Sequence, residues 1–124
     1  MRVFRTRSFT RFADHEDIDD AALCDAVRRA EKGLIDADLG GGVVKQRLAR
    51  KGQGRSGGFR SIILFRRAER AIFVYGFAKN DRDSIRRGEL KAFRELAAQM
   101  LGYDEPALAA AIKNGTITEI MCHG

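Results

Sequence analysis

Lys45 and Arg47 stand two residues apart in the stretch 43–49, so in a strand they share one face while Val44 and Leu48 share the other. More cations follow at close intervals. Arg50, Lys51 and Arg55 lie in the glycine-rich stretch 50–58, Arg60 directly follows Phe59, and Lys79, Asn80 and Arg82 follow a second aromatic stretch. Residues 43–94 carry 15 Lys/Arg against 4 Asp/Glu, a balance of +11; the rest carries 8 against 13, or −5, and the two sum to the net charge of +6. Guanidinium groups bind phosphate through a rigid fork, and a lysine among cations is drawn toward proton transfer because its charged form is disfavoured. Such a concentration of positive charge points to a polyanionic partner, nucleic acid first. A solvated basic surface with no partner is the alternative. Other chemistries are poorly served: His15 and His123 are isolated, and no Cys/His cluster has metal-ligand spacing. Cys24 and Cys122 lie far apart and make no motif, so they read as incidental thiols of a reduced cytosolic protein.

The elements that must position these residues follow from periodicity and punctuation. The chain has 124 residues, which predicts one domain over 1–124. No run approaches the roughly 18 apolar residues of a membrane span, and Met1–Arg5 lacks a signal-peptide stretch, so the expected location is the bacterial cytoplasm. Val3–Arg7 alternates weakly, as a first strand would. Phe9 and Phe12 share a helical face, predicting a short helix. Asp17, Asp19 and Asp20 signal a helix start, and Leu23, Val27, Ala30 and Leu34 follow at helical spacing. This predicts a helix over 19–32, ended by Gly33 with Leu34 folding back as the apolar contact. After the break at Gly40-Gly41-Gly42 comes a strand over 43–49, then a flexible loop over 50–58. Phe59–Arg66 and Ala71–Ala78 are apolar on both faces, as central strands are, and a loop of about four residues joins them as a hairpin. Arg66, Arg67 and Arg70 read as its solvated turn. A helix over 88–101 aligns Leu90, Phe93, Ala97 and Met100; Pro106 opens another, Asn114-Gly115 ends it, and Thr116–Ile120 forms a closing strand. The sum is an α+β domain with helices packed on a small, mostly antiparallel sheet.

Several segments, in this order, resemble the RelE/ParE superfamily of type II toxins, and its HigB-like branch in particular. They are Val44-Lys45-Gln46-Arg47, Gly54-Arg55-Ser56-Gly57-Gly58-Phe59-Arg60, Tyr75-Gly76-Phe77-Ala78-Lys79-Asn80, Glu89-Leu90-Lys91, and Ala111-Ile112-Lys113-Asn114-Gly115 with Thr116–Ile120. The resemblance spans nearly the whole chain. It implies a RelE-like fold and a metal-independent ribonuclease without cofactors, which cuts messenger RNA in the ribosomal decoding site and so inhibits translation. It also implies a cognate antitoxin, typically of the helix-turn-helix type.

The resemblance further implies roles. Arg60 matches the Gly-aromatic-Arg motif and would bind the scissile phosphate. Lys45 would be the general base and Arg47 a phosphate contact. Lys79 would be the acid or a phosphate contact, with Asn80 orienting a base or the ribose. Arg50, Lys51, Arg55 and Arg82 would hold the RNA backbone, and Phe77 could stack on a base. Many relatives place a tyrosine of the active site near the C-terminus, whereas the tyrosines here are Tyr75 and Tyr103. Two other functions share the expected topology: a ParE-like gyrase poison, and a non-catalytic nucleic-acid-binding module.

Overall fold

A computed structural model describes residues 1–50, 54–78 and 85–122, with Arg50 and residues 54–57 described by their backbone alone. The elements run β1 (Arg2–Thr6), α1 (Arg7–His15), α2 (Asp20–Glu31), β2 (Ala37–Gly40), β3 (Val43–Arg50), β4 (Gly54–Arg66), β5 (Arg70–Ala78), α3 (Arg87–Met100), α4 (Glu105–Lys113) and β6 (Ile117–Ile120). The six strands form one sheet in the order β2-β3-β4-β5-β1-β6. Only the β1–β5 pair is parallel, so the sheet is mostly antiparallel and the fold is α+β. No helix of the described residues is long and apolar enough to cross a membrane.

Helices cover both faces of the sheet, which explains the unbroken apolar run in β4. Phe9, Ala13, Leu23 and Val27 of α1 and α2 pack on Val44, Leu48, Ile63 and Phe73. On the other face, Ala97, Met100, Leu108 and Ala111 of α3 and α4 pack on Val43, Ile62, Leu64 and Ile72. Ile62, Ile63 and Leu64 point alternately into the two layers, and all three are fully buried.

Side chains finish the helix ends. Thr6, Asp19 and Asp104 accept hydrogen bonds from the backbone N–H groups of Phe9, Ala22 and Ala107. The last turn of α3 is closed by arginines expected to be solvated. Arg66 donates to the Leu101 carbonyl at 2.8 Å, and Arg70 to Met100 and Tyr103 at 3.0 and 3.1 Å. A cation at a helix C-terminus satisfies orphan carbonyls and opposes the dipole's negative end. Beside Arg70, on the neighbouring strand β1, Arg2 grips Glu119 of β6 with two hydrogen bonds of 2.9 Å. These bonds hold the Glu119 carboxyl below the usual carboxylate range.

Three expectations change. The stretch 50–58 is not a single loop: β4 already begins at Gly54, which pairs with Arg50. The hairpin between β4 and β5 is one residue tighter than expected, turning through 67–69 with Ala68 left-handed at φ 64°. The cysteines are not separate thiols but form a Cys24–Cys122 disulfide with Cα atoms 5.7 Å apart. Antiparallel pairing of β6 with β1 carries the chain end back beside α2, a juxtaposition that a sequence separation of 98 conceals.

Closing so long a loop restricts the unfolded chain, so Cys122→Ser should lower stability by about 2–4 kcal/mol. The denaturation midpoint should fall equally on reducing the wild type and stay put on reducing the variant. Gly76 faces the Phe12 ring, and a Cβ there would sit 2.2 Å from a ring carbon. Gly76→Ala should therefore cost at least the roughly 1–3 kcal/mol of an overpacked core, measured by chemical denaturation.

Candidate functional site

The cations of the middle strands meet on one carboxylate. Lys45 stands opposite Ile62 and Arg47 opposite Arg60 across the β3–β4 pair, which places all four on the face toward α3. Asp36, just before β2, reaches the same face. Its Oδ2 lies 3.5 Å from Lys45 Nζ and 3.3 Å from Arg60 Nε, and its Oδ1 lies 3.5 Å from Arg47 Nε. Arg60 is 6% exposed, and its Nη1 has no hydrogen-bond partner among the described residues. A buried guanidinium is tolerated when a counter-charge sits beside it, and Asp36 provides one.

Local structure fixes Asp36. Gly33, left-handed at φ 80°, ends α2 with paired bonds from Gly33 N to Ala30 O and from Leu34 N to Arg29 O. The side chain of Leu34 does not fold back as expected; it is 60% exposed. The chain turns here toward β2, and Ile35 packs on the α1/α2 layer instead. Gln46, on the opposite face of β3 from Lys45 and Arg47, is 1% exposed and ties this turn down. Its Nε2 donates to Ala26 O at 3.0 Å and Leu34 O at 2.9 Å, and its Oε1 accepts from Arg47 N at 3.2 Å. One residue on, Asp36 N donates to Lys45 O. Past that bond the outer edge of β3 has no strand partner among the described residues, and Arg29 covers it by donating to Arg47 O at 2.8 Å. A groove of about 480 Å³ runs along this edge, lined by Arg29, Leu34, Ile35, Asp36, Gln46 and Arg47.

Of the residues expected in the site, the structure brings Lys45, Arg47 and Arg60 together. Phe77 stands opposite Arg60 on β5, but it is 5% exposed and packed with Tyr75 in the α3 layer. Stacking on a base would require that core to open. The backbones of Arg50 and Arg55 belong to β3 and β4. Lys51, Lys79, Asn80 and Arg82 lie outside the described residues. Among the described residues, the acidic partner of Arg60 is Asp36.

Asp36 and Gln46 carried no expected role. A signal for Asp36 exists, since Ile35-Asp36-Ala37-Asp38-Leu39 alternates apolar and acidic residues with the period of a strand, and β2 forms there. Nothing in the sequence marks Gln46, because a lone glutamine on a strand gives no sign of which carbonyls it will meet. Gln46→Leu should unpair the buried Ala26 carbonyl and the partly buried Leu34 carbonyl, cost about 1–3 kcal/mol in stability, and weaken whatever the cationic face binds. Denaturation and an RNA-binding titration of the same variant check both.

A family model described as the RelE toxin of the RelE/RelB toxin–antitoxin system matches residues 1–120. A comparison with curated proteins finds no match.

Proposed function

This chain belongs to the RelE toxin family, and from that premise we propose that it is an endoribonuclease acting on messenger RNA. Family membership makes it the toxin of a toxin–antitoxin pair, with a cognate antitoxin as its partner. The finer reading is a HigB-like toxin of the bacterial cytoplasm that cuts messenger RNA on the ribosome without a metal and is neutralised by a helix-turn-helix antitoxin. The observation that carries the reading is the convergence of Lys45, Arg47 and Arg60 on one sheet face, with the buried Arg60 Nη1 lacking a hydrogen-bond partner among the described residues.

The ribose 2′-oxygen attacks the adjacent phosphorus, the bond to the 5′-oxygen breaks, and a 2′,3′-cyclic phosphate remains. In this scheme Lys45 takes the 2′ proton. Arg60 and Arg47 bear on the phosphoryl oxygens, where charge grows in the transition state. Lys79 protonates the departing oxygen or binds phosphate, and Asn80 orients the ribose. Arg50, Lys51, Arg55 and Arg82 hold the flanking backbone, so affinity falls as salt rises.

Inducible expression in a bacterium, with growth followed and transcript 5′ ends mapped, tests the reading. The wild type should arrest growth and create new messenger RNA ends. Arg60→Ala and Lys79→Ala should each lose cleavage on the order of 100-fold or more, as removal of a transition-state donor does. Arrest by all three without new ends overturns the ribonuclease reading in favour of a gyrase poison or sequestration.

A further inference from the structure

The reaction scheme leaves Asp36 without a role, although it touches every described cation of the site. We propose that Asp36 is a positioning residue: it aligns Lys45, Arg47 and Arg60 and trims their charge to suit the transition state of RNA cleavage. The proposal rests on the ribonuclease reading and deepens it.

Asp36 is placed from both sides. Its backbone N–H is bonded to Lys45 O, and the Leu34 carbonyl two residues earlier is held by the buried Gln46 amide. Its side chain is 16% exposed, so the carboxylate sits largely covered among the cations. A displaceable surface counter-ion would not be built this way.

The contacts also leave donors free. At 3.3–3.5 Å they are longer than the roughly 2.7–2.9 Å of tight charge-assisted bonds. Asp36 therefore holds the cations by charge without saturating their N–H groups, and Arg60 Nη1 has no hydrogen-bond partner among the described residues. Without Asp36, three like charges would splay apart, and a misplacement of about 1 Å in a catalytic group can cost on the order of 100-fold in rate.

Charge points the same way. With Lys45 neutral, as a base must be before it takes the 2′ proton, the described charges of Arg47, Arg60 and Asp36 sum to +1, and to +2 once Lys45 holds that proton. A phosphodiester carries one negative charge, and the phosphorane formed when the 2′-oxygen adds to it carries two. The sum rises with the negative charge of the reacting group, so the attraction is stronger in the transition state than in the ground state, and only such interactions raise kcat. Removing Asp36 adds one positive charge to the site at every stage, which favours bound RNA while loosening the geometry that cleaves it.

The test compares wild type, Asp36→Asn and Asp36→Glu. Cleavage is measured on a short messenger RNA fragment bound to purified bacterial ribosomes. Affinity is measured with the same fragment carrying 2′-O-methyl groups, which cannot be cut. Asp36→Asn should lower kcat on the order of 100-fold while binding the uncut RNA as tightly as wild type or more tightly. Asp36→Glu keeps the charge but moves the carboxylate; it should hold wild-type affinity and recover part of kcat, to about tenfold below wild type. A purely structural role would weaken binding and cleavage together. That result, or a wild-type kcat in either variant, overturns the proposal. If Asp36→Asn does not fold, Asp36→Glu alone decides, by the same criteria. If the wild type cuts no RNA, the ribonuclease reading fails by itself. Asp36 is then judged on binding, where Asp36→Asn should bind RNA more tightly with a steeper salt dependence, and weaker binding overturns its role.

Discussion

A guanidinium sunk into a sheet face needs a negative charge beside it, and the pairing of Arg60 with Asp36 meets that need. Removing one partner of a buried pair typically costs about 3–5 kcal/mol, since the other charge is left stranded. The position of Asp36 is thus a condition on the whole neighbourhood. It requires α2 to end at Gly33, the next residues to turn onto the β3 edge, and Gln46 to hold that turn from beneath. Lys45 and Arg47 then fall into place around the same carboxylate through strand alternation.

The rest of the fold keeps this corner rigid while leaving its edge open. Helices on both faces bury the middle of β4 and β5, so the strands that carry Arg60 and Phe77 cannot shift register without exposing the core. Arg94 of α3 grips the Leu39 carbonyl and anchors the β2–β3 turn. Arg66 and Arg70 lock the opposite end of α3 to the β4–β5 hairpin. The Cys24–Cys122 bridge ties the chain end to α2, the helix whose last turn leads to Asp36. Beyond Lys45 the outer edge of β3 has no strand partner among the described residues, and side chains of Gln46 and Arg29 serve its backbone instead. That unpaired stretch borders the groove lined by Arg29, Asp36 and Arg47.

Several cations that look alike in sequence therefore do different work. Arg66, Arg70 and Arg94 sit among the surplus charges of residues 43–94, yet their hydrogen bonds go to main-chain carbonyls and build the scaffold. Lys45, Arg47 and Arg60 instead share a single carboxylate. The count of positive charges overstates what is free for a partner, and geometry separates the two groups.

Local patterns in the sequence determined most of the elements. Asp19 and Gly33 bound α2, the apolar runs 59–66 and 71–78 became the central strands, and the alternation 43–49 put Lys45 and Arg47 on the face opposite Val44 and Leu48. These signals act over a few residues, through capping, left-handed turns and side-chain period, so the sequence alone expresses them. Tertiary structure alone decided which distant groups met: Asp36 with Arg60, Gln46 with the carbonyls of Ala26 and Leu34, Cys24 with Cys122, and Phe77 with the core rather than a base. Each of those pairings depends on strand order and register across the sheet, which follow from burying both faces at once and leave no local mark on the residues they bring together.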